Sequence, residues 1–150
     1  MRRIISNDYV TMLLRLFFGG LFIYASLDKI ASPEQFARIV FNFHILPGSL
    51  VNIFALILPF TELVAGVGVI IGFLYRGSRD YLMLLTVVFI VAIGINVVRG
   101  VNLECGCFTV SSGAKSAGLQ LIVRDLLYLA PGLFLLASRS RRWMLDRLFF

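Results

Sequence analysis

Charge is scarce in this sequence. Of its 150 residues, 15% are Asp, Glu, Lys or Arg, while 59% are hydrophobic and the mean hydropathy is +0.93. A soluble domain of this size usually carries far more charge, so that class is excluded. Cysteine is scarcer still: Cys105 and Cys107 are the only two. With no third, an oxidised form can involve this pair or another chain, and no multi-bridge framework exists. There is one histidine, His44, expected to be an interfacial hydrogen-bonding residue rather than a metal ligand. No internal repeat, low-complexity tract or long linker divides the chain, and one domain over 1–150 is expected.

What the chain does have is apolar runs about twenty residues long, the length of a membrane-crossing helix. The expected fold is all-α membrane: a bundle of four transmembrane helices, with spans at about 9–27, 50–75, 81–98 and 118–137 and a basic, aromatic tail at 138–150. A formal charge of +6 would favour nucleic acid in a soluble chain. Here the basic residues flank the apolar runs, so the lipid bilayer is the expected partner and nucleic acid is not.

Polar and small residues recur at helical spacing. Arg15, Gly19, Phe22, Ser26 and Lys29 share one face of the first span, as do Asn52, Ala55, Pro59, Glu62 and Gly66 in the second. Those faces should look into the bundle. Between the two spans, Ser32-Pro33 with Gln35 opens a short helix. Its stripe of Phe36, Ile39, Val40 and Phe43 reads as a helix lying in the membrane interface, in the first outer loop. The turn ending the second span is expected at Arg76-Gly77-Ser78-Arg79-Asp80. Ala92, Asn96 and Arg99 align in the third span, and Gln120, Arg124 and Tyr128 in the fourth.

Four spans put the N-terminus, the middle turn and the tail on one side. Those segments hold Arg2, Arg3, Arg76, Arg79, Arg139, Arg141, Arg142 and Arg147, against Lys29, Arg38, Arg99 and Lys115 in the other two loops. The positive-inside bias places both termini in the cytoplasm and the cysteine loop outside. There a disulfide can form and persist.

Arg15, Glu62, Arg124 and Asp125 fall in or near apolar spans, where a lone charge costs at least about 2.5–3.5 kcal/mol at the centre. Arg15 and Glu62 each lie about 20 Å below the outer end at 1.5 Å per residue, and are expected to pair. Arg124, about 9 Å below that end by the same rise, comes within reach of Asp28, Asn96 or Glu104.

Cys105-Gly106-Cys107 suits redox chemistry. Cα atoms two residues apart in a bent chain can lie within the roughly 4.4–6.8 Å a disulfide needs, and Gly106 permits unusual backbone angles. The buried charges either fix helix register through their pairs, or Arg124 and Lys29 favour a nearby thiolate, the attacking species, or hold an anionic intermediate.

Taken in order, these residues carry a resemblance: Arg15, Asp28-Lys29, Pro33 and Phe36, Ile45-Leu46-Pro47, Pro59 and Glu62 with Gly66, Arg99-Gly100, Cys105-Gly106-Cys107-Phe108 and Arg124-Asp125. Over about residues 10–137 the chain resembles the MauE family of the DoxX-like small four-span membrane proteins. Thr109 stands where that pattern has glycine. The resemblance implies a four-helix bundle in the cytoplasmic membrane and an association with methylamine utilisation, through maturation of a disulfide-containing periplasmic protein. The wider group implies quinone-coupled thiol chemistry.

Three functions remain open on the residues. In the first, Cys105 and Cys107 exchange disulfides with a thioredoxin-like or disulfide-containing extracytoplasmic protein. A quinone held near Asp28, Glu62 and Arg124 is then the candidate cofactor. In the second, the protein is a non-catalytic accessory or assembly subunit and the cysteines are structural, although closing so small a loop removes little chain entropy. The third is transport or metal handling, where two thiolates suit Cu(I) or Zn but no further Cys or His stands beside them.

Overall fold

The computed structural model describes residues 7–100 and 118–138, without the side chains of residues 118–121 and 124. Among the described residues every regular element is an α-helix: α1 (Asp8–Ala31), α2 (Pro33–Asn42), α3 (Gly48–Ile71), α4 (Tyr75–Val98) and α5 (Gly118–Ala137).

The boundaries follow local chemistry. Asn7 caps α1 by accepting the Tyr9 N–H at 3.3 Å, which satisfies one of the donors left over at a helix start. Pro33 opens α2 at its first turn, and the residue before a proline disfavours helical angles, so α1 stops at Ala31. That end lies four residues past the expected Leu27 and brings Asp28 and Lys29 into the last turn. Ser32 occupies the cap position of α2 but makes no side-chain capping bond. The expected turn at Arg76–Asp80 is corrected. The chain reverses over residues 72–74, with Gly72 and Leu74 in the left-handed region at φ 79° and 47°, and Arg76 to Asp80 form the beginning of α4. A left-handed glycine just past a helix is a common stop. Polar residues with glycine look like a turn, but a helix start tolerates them equally.

Helices α1, α3, α4 and α5 form a closed ring of packed neighbours, with the most extensive contact between α1 and α3; α2 lies across α3 and α1. The stripe Phe36, Ile39, Val40 and Phe43 is buried within the protein, so the face expected to meet the membrane interface is used against the bundle itself. Gly19 and Gly66 set the α1/α3 approach. A Cβ on Gly19 would lie 2.7 Å from the Gly66 carbonyl oxygen, and one on Gly66 would lie 3.0 Å from the Gly19 carbonyl oxygen. Neither helix could come so close with larger residues.

α1, α3 and α4 are each 24 residues and apolar enough to cross a membrane, and α5 contributes a shorter apolar stretch, Asp125–Ala137. At 1.5 Å per residue such a helix is about 36 Å long, against a hydrocarbon core of about 30 Å. Large apolar side chains including Leu13, Phe17, Leu56, Val64 and Leu84 point outward, as lipid-facing surfaces require. This is a helical membrane protein.

Candidate functional site

Lys29 at the end of α1 and Glu62 in the middle of α3 form a buried ion pair. The ammonium lies 2.9 Å from Oε1 and 2.8 Å from Oε2 of Glu62, and each side chain is 1% exposed. The Phe36 ring of α2 and the Phe89 ring of α4 each stand 5.2 Å from Nζ, close enough for cation–π attraction. Four helices thus converge on one ammonium. Counted from the Gly19–Gly66 contact, Lys29 and Glu62 are not opposite. They meet because helix side chains lean toward their own N-terminus, and in antiparallel helices that tilt closes the gap.

Further polar groups, Asn96 and Asp125 among them, are buried in the same half of the bundle. Asn96 of α4 donates Nδ2–H to the Ala92 carbonyl at 2.8 Å. Its Oδ1 is buried and accepts no hydrogen bond from the described residues. Asp125 of α5 is 1% exposed. A Cβ on Gly132 would lie 3.1 Å from the Phe18 ring. Two turns along each antiparallel helix from that contact, Asp125 comes level with Ala25, one turn from Lys29.

The opposite half is held by arginines. Arg15 donates Nε–H to the Val69 carbonyl and Nη2–H to the Ile70 carbonyl, both at 3.0 Å. These are among the last four carbonyls of α3, which have no partner within the helix, and a cation there also suits the helix dipole. The guanidinium of Arg15 sits 5.0 Å from the centroid of Tyr75, and that of Arg79 sits 5.5 Å from the same ring. Arg79 also donates to the Leu135 carbonyl of α5 at 3.2 Å and pairs with Asp80. Thr11 and Ser138 join α1 to the end of α5 at 2.9 Å.

The profile of the family described as "Methylamine utilisation protein MauE" matches residues 7–138. The chain belongs to the MauE family. It is 35% identical over 122 residues to "Methylamine utilization protein MauE" of Paracoccus denitrificans, covering 80% of this chain and 64% of that protein. It is 33% identical over 137 residues to the protein of the same name from Methylorubrum extorquens, covering 85% and 74%. With that of Methylophilus methylotrophus it shares 28% over 138 residues, covering 91% and 73%. The chain therefore spans just under two thirds of the length of the Paracoccus denitrificans protein. No solved structure matches it.

The MauE-family chain places the expected residues as follows. Arg15, Lys29, Glu62, Asn96 and Asp125 are all buried, and Asp28 is half-buried. Cys105 and Cys107 lie outside the described residues, as does the side chain of Arg124. The expected Arg15–Glu62 pair is corrected: Glu62 is taken by Lys29, and Arg15 reaches the carbonyls of Val69 and Ile70. Equal depths were reckoned from equal helix ends, whereas the glycine contact fixes the register. With Gly19 opposite Gly66, four residues back on α1 and four forward on α3 bring Arg15 to Ile70. Phe36 and Phe89 around Lys29, and Tyr75 between two arginines, were not foreseen as site residues. The only available signal was that each lies on a buried helix face. Both carboxylate oxygens of Glu62, one of the residues expected beside a quinone, accept from Lys29 Nζ.

Arg15→Lys tests the cap at the end of α3. An ammonium cannot reproduce the two-nitrogen fork, so the variant is expected to lose about 1.5–3 kcal/mol, the worth of a hydrogen bond to a charged group. Equilibrium unfolding in lipid–detergent micelles measures it. An unchanged stability would remove the capping role.

Proposed function

We propose that this protein is a membrane thiol–disulfide exchange factor serving methylamine utilisation, the process named for its relatives. It would help a disulfide-containing protein outside the cytoplasm acquire its bridges. In this reading α5 completes a fourth span. Both termini lie in the cytoplasm, by the excess of arginine on that side, and Cys105 and Cys107 lie on the extracytoplasmic face.

The observation that carries the reading is the pair's position in the chain. Cys105-Gly106-Cys107 belongs to the connection from α4 to α5. The α1-to-α3 connection, which includes α2, leaves the antiparallel ring at the same end, and so α4 ends and α5 begins at the end nearer the Lys29–Glu62 pair. In the exchange, a client thiolate attacks one sulfur of the Cys105–Cys107 disulfide and releases the other as a thiolate. The client's second thiolate then breaks the mixed disulfide. The client leaves oxidised and this chain is left with two thiols. A disulfide-bearing protein of the thioredoxin-like class reoxidises them by the same two steps and becomes reduced itself.

Single replacement of each cysteine by alanine tests this. One variant, Cys105→Ala or Cys107→Ala, is expected to accumulate a mixed disulfide with the thioredoxin-like protein that reoxidises the pair, because the cysteine that would release that protein is missing, visible as a reducible higher-mass band in intact cells. If neither variant captures this partner and both support growth on methylamine fully, the exchange reading fails and the accessory reading replaces it.

A further inference from the structure

A groove of about 340 Å³ runs along the outer face between α3 and α4. Leu50, Ile53, Phe54 and Ile57 line it, and at its far end stand Thr61 and Tyr81. The lining residues of α3 follow one helical stripe, which extends about 16 Å from Leu50 to Thr61 at 1.5 Å per residue. Leu50, Ile53, Phe54 and Ile57 are exposed on a helix long and apolar enough to cross the membrane, so the groove opens to the bilayer. Its volume is at the lower end of the range for small-molecule sites, about 300–1,000 Å³, which are mostly apolar with a few placed polar groups.

The polar end has a defined direction. Thr61 Oγ1 donates to the Leu58 carbonyl at 2.8 Å, and a hydroxyl has one proton. Both contacts are hydrogen bonds only if the 2.7 Å one between Thr61 Oγ1 and the Tyr81 hydroxyl uses the tyrosine proton. The sequence is Tyr81 O–H to Thr61 O–H to Leu58 C=O. Tyr81 is half-buried at the groove, and its oxygen, having given its proton away, offers lone pairs only. Thr61 is 13 residues from Gly48, about 20 Å along α3, so this acceptor lies deep in the span, where water is scarce.

We propose that the α3/α4 groove binds a membrane-dissolved molecule made of a slender apolar body and a hydroxyl that donates to Tyr81. The same body ending in an ether or an ester has no proton to give and is disfavoured. The site is independent of the cysteines, and its success or failure leaves the exchange reading untouched.

Photolabelling tests it in the full chain, reconstituted in phospholipid nanodiscs. The probes are a long-chain primary alcohol carrying a diazirine and its methyl ether; an alkylated hydroquinone and its dimethyl ether, each with the same diazirine, form a second pair. At least one hydroxyl probe is expected to label the peptide containing residues 50–57 about five-fold more than its ether, the size of one net hydrogen bond. The pair with the larger ratio then tells an aliphatic from an aromatic hydroxyl. Tyr81→Phe should bring that ratio to one while leaving the thermal transition in place. Ile53→Trp should reduce labelling by the hydroxyl probe by filling the groove. Equal labelling by hydroxyl and ether in both pairs, a preference that survives Tyr81→Phe, or labelling undiminished by Ile53→Trp would overturn the proposal and leave ordinary lipid contact.

Discussion

Glu62→Leu is expected to lower the stability of the protein by about 3–5 kcal/mol, the range for removing one partner of a buried ion pair. The reason is what it leaves behind. Lys29 is 1% exposed, and among the described residues its ion pair is with Glu62. Once the carboxylate is gone, the ammonium keeps the Phe36 and Phe89 rings. Ring faces contribute about 2 kcal/mol to a desolvated cation, less than the lost partner. Adding Lys29→Met should recover most of the loss, because a buried pair replaced by apolar groups of similar volume is often neutral or better. Equilibrium unfolding of wild type, both single variants and the double variant closes the cycle. A double variant no more stable than Glu62→Leu would show that the two residues are not one energetic unit. With a single cysteine left in place, the double variant is also expected to keep capture of the reoxidising partner, since the ion pair is enclosed by packed helices and acts on register. Restored stability without capture would assign the pair a part in the exchange.

The amount of this arrangement legible in the sequence depended on whether a signal was local. Helical spacing put Arg15, Gly19, Phe22, Ser26 and Lys29 on one face, and all five are buried. Ala55, Pro59, Glu62 and Gly66 are likewise buried, while Asn52 at the start of that series is exposed. Serine-proline placed the start of α2 correctly. Pairing was not local. Which residue of α1 meets Glu62 depends on how far the two helices slide along each other, and equal reckoning from their ends put that register about two turns out. The register was present in the glycines, but a glycine in a membrane helix announces close approach without naming its partner. The α3–α4 turn was misplaced for a related reason. Arg76 to Asp80 have turn-like composition, yet the chain reverses where Gly72 adopts a left-handed angle, and Gly68 packs against Ser78 directly beyond it.

Moving one methyl group by a single residue should separate register from mere helix content. Gly19→Ala would bring its Cβ to 2.6 Å from Ile70 Cγ1 and 2.7 Å from the Gly66 carbonyl oxygen. The first neighbour can turn aside, but the second is backbone, so α1 and α3 must part. Overpacking of this kind costs about 1–3 kcal/mol. Here it should reach the upper end, because the same contact sets both Arg15 against the end of α3 and Lys29 against Glu62. Gly20→Ala adds the same methyl group where nothing lies within 4 Å. It should cost nothing, and as an alanine replacing glycine inside a helix it can gain up to about 1 kcal/mol. Side-by-side unfolding of the two variants reads the difference. A Lys29→Met/Glu62→Leu background refines it: there Gly19→Ala should cost less than in the wild type, since parting the helices no longer separates charges. Equal penalties in the two backgrounds would mean that the glycine contact and the ion pair are held independently, and that the register of α1 on α3 is not what brings Lys29 to Glu62.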